Sequence, residues 1–367
     1  MKKSLLVILT VLLTTSGIFA QDKDYEEYLK REQADLAKFI AQENSRWQDY
    51  VDLDSKEWQQ LVDEVEKLWG VDAKFSNKKT WVRYGATKKT RTVTDFEKGY
   101  LKIEALGKEG ETKEELLEKT SELVKEVIEE KADPTDSEPI LSNQLEAEVK
   151  PEKIPAKYVK VVKVTSPEGK VENKLIIKIP FKSNHLKTRA ERVLPIVQEY
   201  SSKYKINPKL VMAVIQTESA FNPKARSTFM QKNGRIGHAY GLMQLVPYSG
   251  GKEAYNSLGH NGTPTPNYLY NEKNNLELGI IYLNLLSKKY FKEVTNKVKN
   301  EYLIICAYNT GPGNVARALI GNTDLSDATV KANSMGTQEL YNHLVRKLPY
   351  QETRDFLARV VKRILIY

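Results

Sequence analysis

Glu218 is the only acidic residue in the stretch QTESAFNPKARS, residues 216–227, where most of its neighbours are apolar or small. A glutamic acid in such surroundings has the chemistry of a general acid. Cleavage of a glycosidic bond normally uses two carboxyl groups, one as acid and one as base or nucleophile. No second carboxylate stands beside Glu218 in the sequence. The stretch therefore leaves two readings open, a lone acid–base group or an ordinary glutamate on an ordinary helix.

The residues around Glu218 predict a helix that ends just after it. Asn207 and Pro208 have the residue types of an N-cap and a first helical position, and Asn222-Pro223 predicts the end. Glu218 then lies one turn from Val214 and Ile215, so that an apolar wall and the C-terminal end of the helix dipole both disfavour its charged form. Taken alone, this position is still more often that of a solvated glutamate.

Three later segments place amide or phenol groups beside small residues that allow close approach. They are AYGLMQ at 239–244, AYNTGPG at 307–313 and LPYQETR at 348–354. Aromatic rings and neutral hydrogen-bonding groups suit the faces, hydroxyls and acetamido groups of a sugar. Each segment taken singly is better explained as a loop with a core tyrosine.

In this order, ESAFNP, AYGLMQ, AYNTGPGNV and LPYQETRDFLARV resemble the lytic murein transglycosylases, whose catalytic domain has a lysozyme-like, all-α fold. The resemblance covers roughly residues 190–367. The segments GTPTPNYLYNEKNNLELGIIYL and TDFEKGYLKIEAL look like the membrane-bound murein transglycosylase C subgroup, which extends the resemblance more loosely toward the N-terminus.

The resemblance implies a lyase that cuts peptidoglycan between N-acetylmuramic acid and N-acetylglucosamine, with Glu218 as the single acid and base. Glu218 protonates the glycosidic oxygen and then takes the proton of the C6 hydroxyl, which closes on C1 to give a 1,6-anhydromuramoyl end. Because the nucleophile belongs to the substrate, it has a high effective concentration. The family implies neither a cofactor nor a metal ion.

The resemblance also assigns substrate-binding roles, residue by residue. Ser227 matches a serine that orients the muramoyl unit, although the segment from Ser227 to Gly241 is longer than the family's usual link and is expected to add a lip to the cleft. The Tyr350 phenol is expected to hydrogen-bond the Glu218 carboxyl. The remaining predicted contacts to the sugars are Met243, Gln244, Tyr308 and Asn309.

Two alternatives stay open at this stage. One is a hydrolase of goose-type lysozyme character, in which Glu352 or Asp355 would have to point into the cleft, whereas a position facing solvent is expected for both. The other is a catalytically inactive protein that binds peptidoglycan. Cleavage within chains and cleavage from chain ends are equally compatible with the sequence.

The elements that must position these residues fall into two predicted domains after a signal peptide. Lys2 and Lys3, an apolar run and a small-residue end predict a signal peptide over residues 1–20. Residues 21–185 predict an α+β domain with a helix from Asp24 to Gly70, two hairpins and a capped helix after Thr112. Residues 186–367 predict the all-α catalytic domain, with the boundary near residues 182–187.

Composition narrows the partners and the compartment. Residues 186–367 hold 25 Lys and Arg against 13 Asp and Glu, a balance that favours an anionic polymer such as peptidoglycan, and export makes nucleic acid the least expected partner. Cys306 is the only cysteine, so that no lipid-carrying cysteine follows the signal and a freely periplasmic protein is expected, with outer-membrane association left open. The four histidines form no metal-binding pattern. By its position, the first domain is expected to extend the cleft or to bind other cell-wall proteins.

Overall fold

The computed structural model describes residues 23–149, 154–231 and 234–367. The predicted signal peptide, residues 1–20, lies outside the described residues. The chain divides into two compact units, residues 1–53 and 54–367. Helix α1 runs over Lys23–Trp69, as the helical periodicity predicted. No helix among the described residues has both the length and the apolar character needed to cross a membrane.

A five-stranded antiparallel sheet forms the first half of the unit 54–367, in the order β1-β2-β3-β5-β4. The two predicted hairpins supply four of its strands, and residues 80–84 form the fifth. In register, Thr92 lies opposite Ile103, and Ile103 lies opposite Ile177. The strands are β1 Thr80–Tyr84, β2 Thr90–Asp95, β3 Tyr100–Leu106, β4 Val159–Thr165 and β5 Val171–Pro180.

Helix α2, Lys113–Glu129, packs its apolar face on this sheet. The predicted capping box is present, since the Thr112 side chain accepts from the Glu115 backbone N–H and the Glu115 carboxylate accepts from the Thr112 backbone N–H. The alternation of β3 and β5 buries one face of each strand against this helix. The buried residues that form this core include Leu101, Ile103, Leu116, Leu123, Val127, Leu175 and Ile177.

The second half of the unit 54–367 is helical and begins within a few residues of the sheet. Strand β5 ends at Pro180, and helix α3 starts at His185. The predicted fold class, an α+β region followed by a helical region, is therefore confirmed. The helices are α3 His185–Tyr204, α4 Pro208–Ser219, α5 Gly250–Ser257, α6 Pro266–Tyr270, α7 Glu272–Leu285, α8 Lys297–Thr310, α9 Pro312–Ile320, α10 Leu325–Ser334, α11 Thr337–Lys347 and α12 Gln351–Ile364.

Helix α4 lies at the centre of the helical core. Nine of its twelve residues are buried, among them Val214 and Ile215, which have no exposed surface. Its N-cap is Asn207, whose side chain accepts from the Lys209 backbone N–H, followed by Pro208 at the first helical position. Cys306, on α8, is also fully buried.

One two-stranded hairpin interrupts the helices. Strands β6, Arg226–Met230, and β7, Ile236–Tyr240, pair antiparallel and occupy the long segment that the sequence marked as unusual. The sequence did not predict these strands. Two side-chain contacts hold the β6–β7 hairpin, since Asp54 pairs with both Arg226 and His238. The Arg226 guanidinium also lies over the Trp58 ring.

Arg189, on α3, joins the sheet to the C-terminal end of α4. Its guanidinium donates to the carbonyl oxygens of Phe96 at 2.5 Å and Ala220 at 3.2 Å, and to the Gln144 side-chain oxygen at 2.6 Å. The side chain is 1% exposed. Because these acceptors come from three different segments, Arg189 ties the α+β part and the end of α4 into one packed body.

Candidate active site

Glu218 lies in the last turn of α4 and is 4% exposed. The helix stops abruptly after it, because Ala220 and Phe221 both have positive φ angles, of 52° and 61°. Burial among apolar side chains raises the pKa of the Glu218 carboxyl above its ordinary value, although Lys78 opposes the rise. A carboxyl group that is protonated near neutral pH is what a general acid requires.

The nearest charged group to Glu218 comes from the α+β part of the chain. The Lys78 Nζ lies 3.3 Å from Oε2 of Glu218 and 2.8 Å from Oε1 of Glu352. Sequence reasoning missed Lys78, because it stands far from Glu218 along the chain and in no motif. It also expected Glu352 to face solvent. The Glu352 side chain is 63% exposed, but Lys78 links it to Glu218 all the same.

The AYGLMQ segment forms a tight turn that is fixed by Asn275 of α7. The Asn275 side chain accepts from the Met243 backbone N–H at 2.8 Å and donates to the Tyr240 carbonyl at 2.9 Å. Gly241 has a φ of 75°, and a Cβ there would lie 2.3 Å from Asn275 Nδ2. Only glycine therefore fits this position, both for backbone conformation and for space.

Met243 does not line the cleft with its side chain. The residue is fully buried, and its side chain packs against Gly279 of α7, where an added Cβ would lie 2.2 Å from the Met243 sulfur. Its carbonyl oxygen accepts from the Tyr308 hydroxyl at 2.7 Å. The Met243 side chain therefore packs in the hydrophobic core and does not contact the cleft, contrary to the expectation from the sequence.

Gln244 has an unusual arrangement for a buried amide. It is 7% exposed, has a φ of 50°, and donates through Nε2 to the Gly241 carbonyl at 3.1 Å. Its Oε1 has no hydrogen-bond partner among the described residues. Buried acceptors are normally paired, so that Gln244 presents an acceptor that a ligand N–H or O–H would satisfy.

Tyr308 and Asn309 lie at the end of α8. Burial raises the pKa of the Tyr308 phenol well above its ordinary value, and the Glu218 charge adds to the rise. The Asn309 side-chain oxygen accepts from the Thr353 hydroxyl of α12 at 2.7 Å. Tyr308 therefore holds the turn at Met243, and Asn309 holds α12 beside the site.

Ser227 and Tyr350 make fewer contacts than the sequence led us to expect. Ser227 lies in β6 opposite Ala239 and is partly buried, and no side-chain hydrogen bond joins it to another residue in the described ranges. Tyr350 is the N-cap of α12 and is 53% exposed. The expected hydrogen bond from the Tyr350 phenol to Glu218 is not formed, because the side chain at this helix start is turned to solvent.

A cavity of about 470 Å³ is lined by the loop before β1, by Thr217 of α4 and by Glu352, Phe356 and Arg359 of α12. Its walls carry both positive charges, from Lys78 and Arg359, and negative charges, from Asp95 and Glu352. Within the described ranges, no group of three or more His, Cys, Asp or Glu side chains is placed to hold a metal ion.

Comparison with known proteins assigns two family domains to the chain. Residues 46–192 match the N-terminal domain of membrane-bound lytic murein transglycosylase C, and residues 195–330 match the transglycosylase SLT domain. Lys78 thus lies in the first matched region and Glu218 in the second. Tyr350 and Glu352 lie beyond the second.

Individual relatives agree with this assignment. Membrane-bound lytic murein transglycosylase C of Histophilus somni (strain 2336) is 35% identical over 184 residues, which cover 50% of this chain and 48% of that protein. The protein of the same name from Haemophilus influenzae (strain PittEE) is 33% identical over 186 residues, which cover 51% of this chain and 49% of that protein. The chain spans about half the length of the curated relatives it matches.

A solved structure of the lytic transglycosylase Slt from Pseudomonas aeruginosa is 24% identical, covering 47% of this chain and 23% of that chain, with a TM-score of 0.32. The family resemblance that the motifs predicted is confirmed by the two matched domains and the curated relatives. The chain is thus similar to membrane-bound lytic murein transglycosylase C proteins, through a region that matches their N-terminal domain ahead of one that matches the transglycosylase SLT domain.

Proposed function

We propose that this protein is a peptidoglycan lytic transglycosylase in which Glu218 acts alone as acid and then as base. The observation that carries the proposal is the burial of Glu218 at the end of α4, 4% exposed and with a raised pKa. A raised pKa favours the protonated carboxyl, which is the form that a general acid needs to donate to the glycosidic oxygen.

The reaction that we propose begins with transfer of the Glu218 proton to the oxygen between N-acetylmuramic acid and N-acetylglucosamine. The bond from the muramoyl C1 to this oxygen breaks, N-acetylglucosamine leaves with the proton on its new hydroxyl group, and C1 carries oxocarbenium character. The Glu218 carboxylate takes the proton of the C6 hydroxyl, whose oxygen bonds to C1 and closes the 1,6-anhydro ring. Glu218 ends the cycle protonated again, and no water is consumed. The internal hydroxyl replaces the second carboxylate of ordinary glycosidases.

Other residues supply contacts to the substrate in this proposal. The unpaired Oε1 of Gln244 is an acceptor for an acetamido N–H or a sugar hydroxyl. Exposed Tyr350 offers a ring face for stacking on a sugar. Ser227, in the β6–β7 hairpin, orients the muramoyl unit. Asn309 reaches the acetamido group near the cleavage point.

Hydrolysis is the second candidate, and one contact favours it. Glu352 lies within 2.8 Å of the Lys78 ammonium that also contacts Glu218, so that a second carboxylate does stand near the site. Lys78 lowers the pKa of Glu352 through this hydrogen bond, which keeps it ionised. An ionised carboxylate positions water only if substrate binding frees it from Lys78.

Digestion of purified peptidoglycan in H₂¹⁸O, followed by mass spectrometry, separates the two reactions. Transglycosylation gives 1,6-anhydro ends without ¹⁸O, whereas hydrolysis gives reducing ends that carry ¹⁸O. Glu218→Gln removes the transferable proton with little change of shape. We expect its turnover to fall by at least about a thousandfold, while sedimentation with insoluble peptidoglycan persists. Unchanged turnover would contradict the role of Glu218.

We also propose that the protein acts at the cell wall of the periplasm, where the predicted export would deliver it. The basic balance of residues 186–367 suits an anionic wall polymer. Association with the outer membrane and recruitment of other wall proteins by the N-terminal domain belong to this proposal. Fractionation of cells into periplasm and membranes tests the proposed localisation. Recovery of the protein only from the cytoplasm would contradict it.

A further inference from the structure

Lys78 reaches the candidate active site from the domain that precedes the SLT domain. It stands just before β1, and its Nζ contacts both Glu218, at 3.3 Å, and Glu352, at 2.8 Å. The Lys78 side chain is only 33% exposed. Three segments that are remote in sequence, the loop before β1, the end of α4 and the start of α12, thus converge on one ammonium group.

The backbone of the Lys78 loop is held in place. The Asn77 side-chain oxygen accepts from the backbone N–H groups of Lys79 and Thr80, both at 2.9 Å. The Phe96 N–H donates to the Lys79 carbonyl at 2.9 Å and ties the loop to the end of β2. A surface lysine usually loses side-chain entropy for little gain, but a fixed backbone directs this side chain into the site.

Among the charged groups around Glu218, the Lys78 ammonium is the cation that forms an ion pair with its carboxylate. The groups that face Glu218 are Lys78 from the loop, Glu352 and Arg359 from α12, and Tyr308 from α8. Burial raises the pKa of Glu218 most, and Lys78 is the leading influence in the opposite direction. Glu218 and Glu352 in turn outweigh the effect of burial on Lys78 and raise its pKa, so that Lys78 stays charged.

We propose that Lys78 is a positioning residue for the reaction, which pairs with the Glu218 carboxylate in the interval between its two proton transfers. Glu352 holds the ammonium at that place. Lys78 keeps all three of its protons throughout, and the transferred proton moves only between Glu218 and the substrate oxygens. The N-terminal domain thereby completes the electrostatics of the SLT active site. This inference rests on the proposed function.

The pair is tested first without substrate. The pKa of Glu218 is measured by NMR on protein labelled with ¹³Cδ-glutamate, with its signal assigned by its loss in Glu218→Gln. Removal of an opposite charge at this range is expected to raise the pKa by about one to three units in Lys78→Met. Lys79→Met is the matched control, because the neighbouring Lys79 ammonium pairs with Glu97 instead. An equal pKa in Lys78→Met and wild type would overturn the proposal.

The pH dependence of turnover is tested second. Glu218 must be protonated to start the reaction, so that the rate falls as the pH rises through its pKa. In Lys78→Met this alkaline limb is expected to move to higher pH, and kcat at the optimum is expected to fall about tenfold, because the carboxylate formed has lost its partner. Lys78→Arg retains the charge and is expected to stay within about threefold of wild type.

The outcomes separate this inference from the proposed function. If wild-type protein yields no anhydro ends, the proposed function fails, while the NMR titration still reports on the pair. If anhydro ends form and the alkaline limb of Lys78→Met stays in place, only the role of Lys78 fails. A rise in kcat for Lys78→Met would make the pair an inhibitory contact and also overturn the proposal. Circular dichroism checks that each variant is folded.

Discussion

Gly241→Ala tests how tightly the AYGLMQ turn is built. The backbone at Gly241 has a φ of 75°, which an L-residue adopts only at a cost. An added methyl would also lie 2.3 Å from the Asn275 side-chain nitrogen and 2.5 Å from the Leu269 carbonyl oxygen. Neither neighbour has room to move, because Asn275 Nδ2 itself donates to that carbonyl at 2.8 Å.

The expected loss of stability has two parts. The left-handed backbone costs alanine about 1–2 kcal/mol. The overpacking adds roughly 1–3 kcal/mol, with the upper end expected because the methyl meets backbone and amide atoms that are already hydrogen-bonded. The free energy of unfolding is therefore expected to fall by about 4–5 kcal/mol.

Gly259→Ala is the matched control. Gly259 has a φ of 81°, but no atom lies within 4 Å of a Cβ built there. This substitution is expected to cost only the backbone part, about 1–2 kcal/mol. The difference between the two variants isolates the crowding at Gly241.

Urea unfolding of both variants, followed by circular dichroism at the helix band, measures the two losses. Turnover at a pH well below the alkaline limb supplies a second comparison, because displacement of the turn moves Gln244 and leaves Glu218 in place. Gly241→Ala is expected to lose turnover and Gly259→Ala to keep it. Equal losses of stability in the two variants would refute the argument from crowding.

Three further substitutions have expected outcomes that urea unfolding or steady-state kinetics checks. Arg189→Met leaves three buried acceptors unpaired and is expected to cost about 2–4 kcal/mol, whereas exposed Lys187→Met on the same helix should cost less than about 1 kcal/mol. Lys299 donates to three carbonyls at the end of α10, so that Lys299→Met is expected to cost about 2–3 kcal/mol, with exposed Lys297→Met as its control. Gln244→Leu removes the unpaired acceptor and is expected to raise KM while stability changes by less than about 1 kcal/mol. Each expectation fails if a variant and its control, or Gln244→Leu and wild type, behave alike.

Local signals in the sequence were sufficient for the helix that carries Glu218. Asn207 and Pro208 specify its start through a cap and a fixed φ, and the apolar run before Glu218 specifies its burial. The capping box at Thr112 was predictable for the same reason, since both of its hydrogen bonds lie within four residues. The roles assigned to these residues in catalysis stay predictions.

Long-range features were not predictable from local patterns. Lys78 contacts Glu218 only because the sheet, α4 and α12 pack together, and no motif records that meeting. Tyr350 was expected beside Glu218 from order along the chain, yet its position as an N-cap leaves it exposed. The strands at residues 226–230 and 236–240 were missed because an alternation of only five residues is weak beside the helical surroundings.

The order in which the chain is made determines when α4 gains its packing partners. Arg363 of α12 donates to the Thr217 hydroxyl at 2.9 Å, and the Tyr367 hydroxyl donates to the Gln216 side chain at 3.0 Å. The helix that carries Glu218 therefore gains two of its side-chain partners only after residues 351–367 have been synthesised. A nascent chain in which α4 has been synthesised but α12 has not lacks both Glu352 and these two hydrogen bonds. Removal of residues 351–367 is therefore expected to leave the end of α4 without these hydrogen bonds and without Glu352.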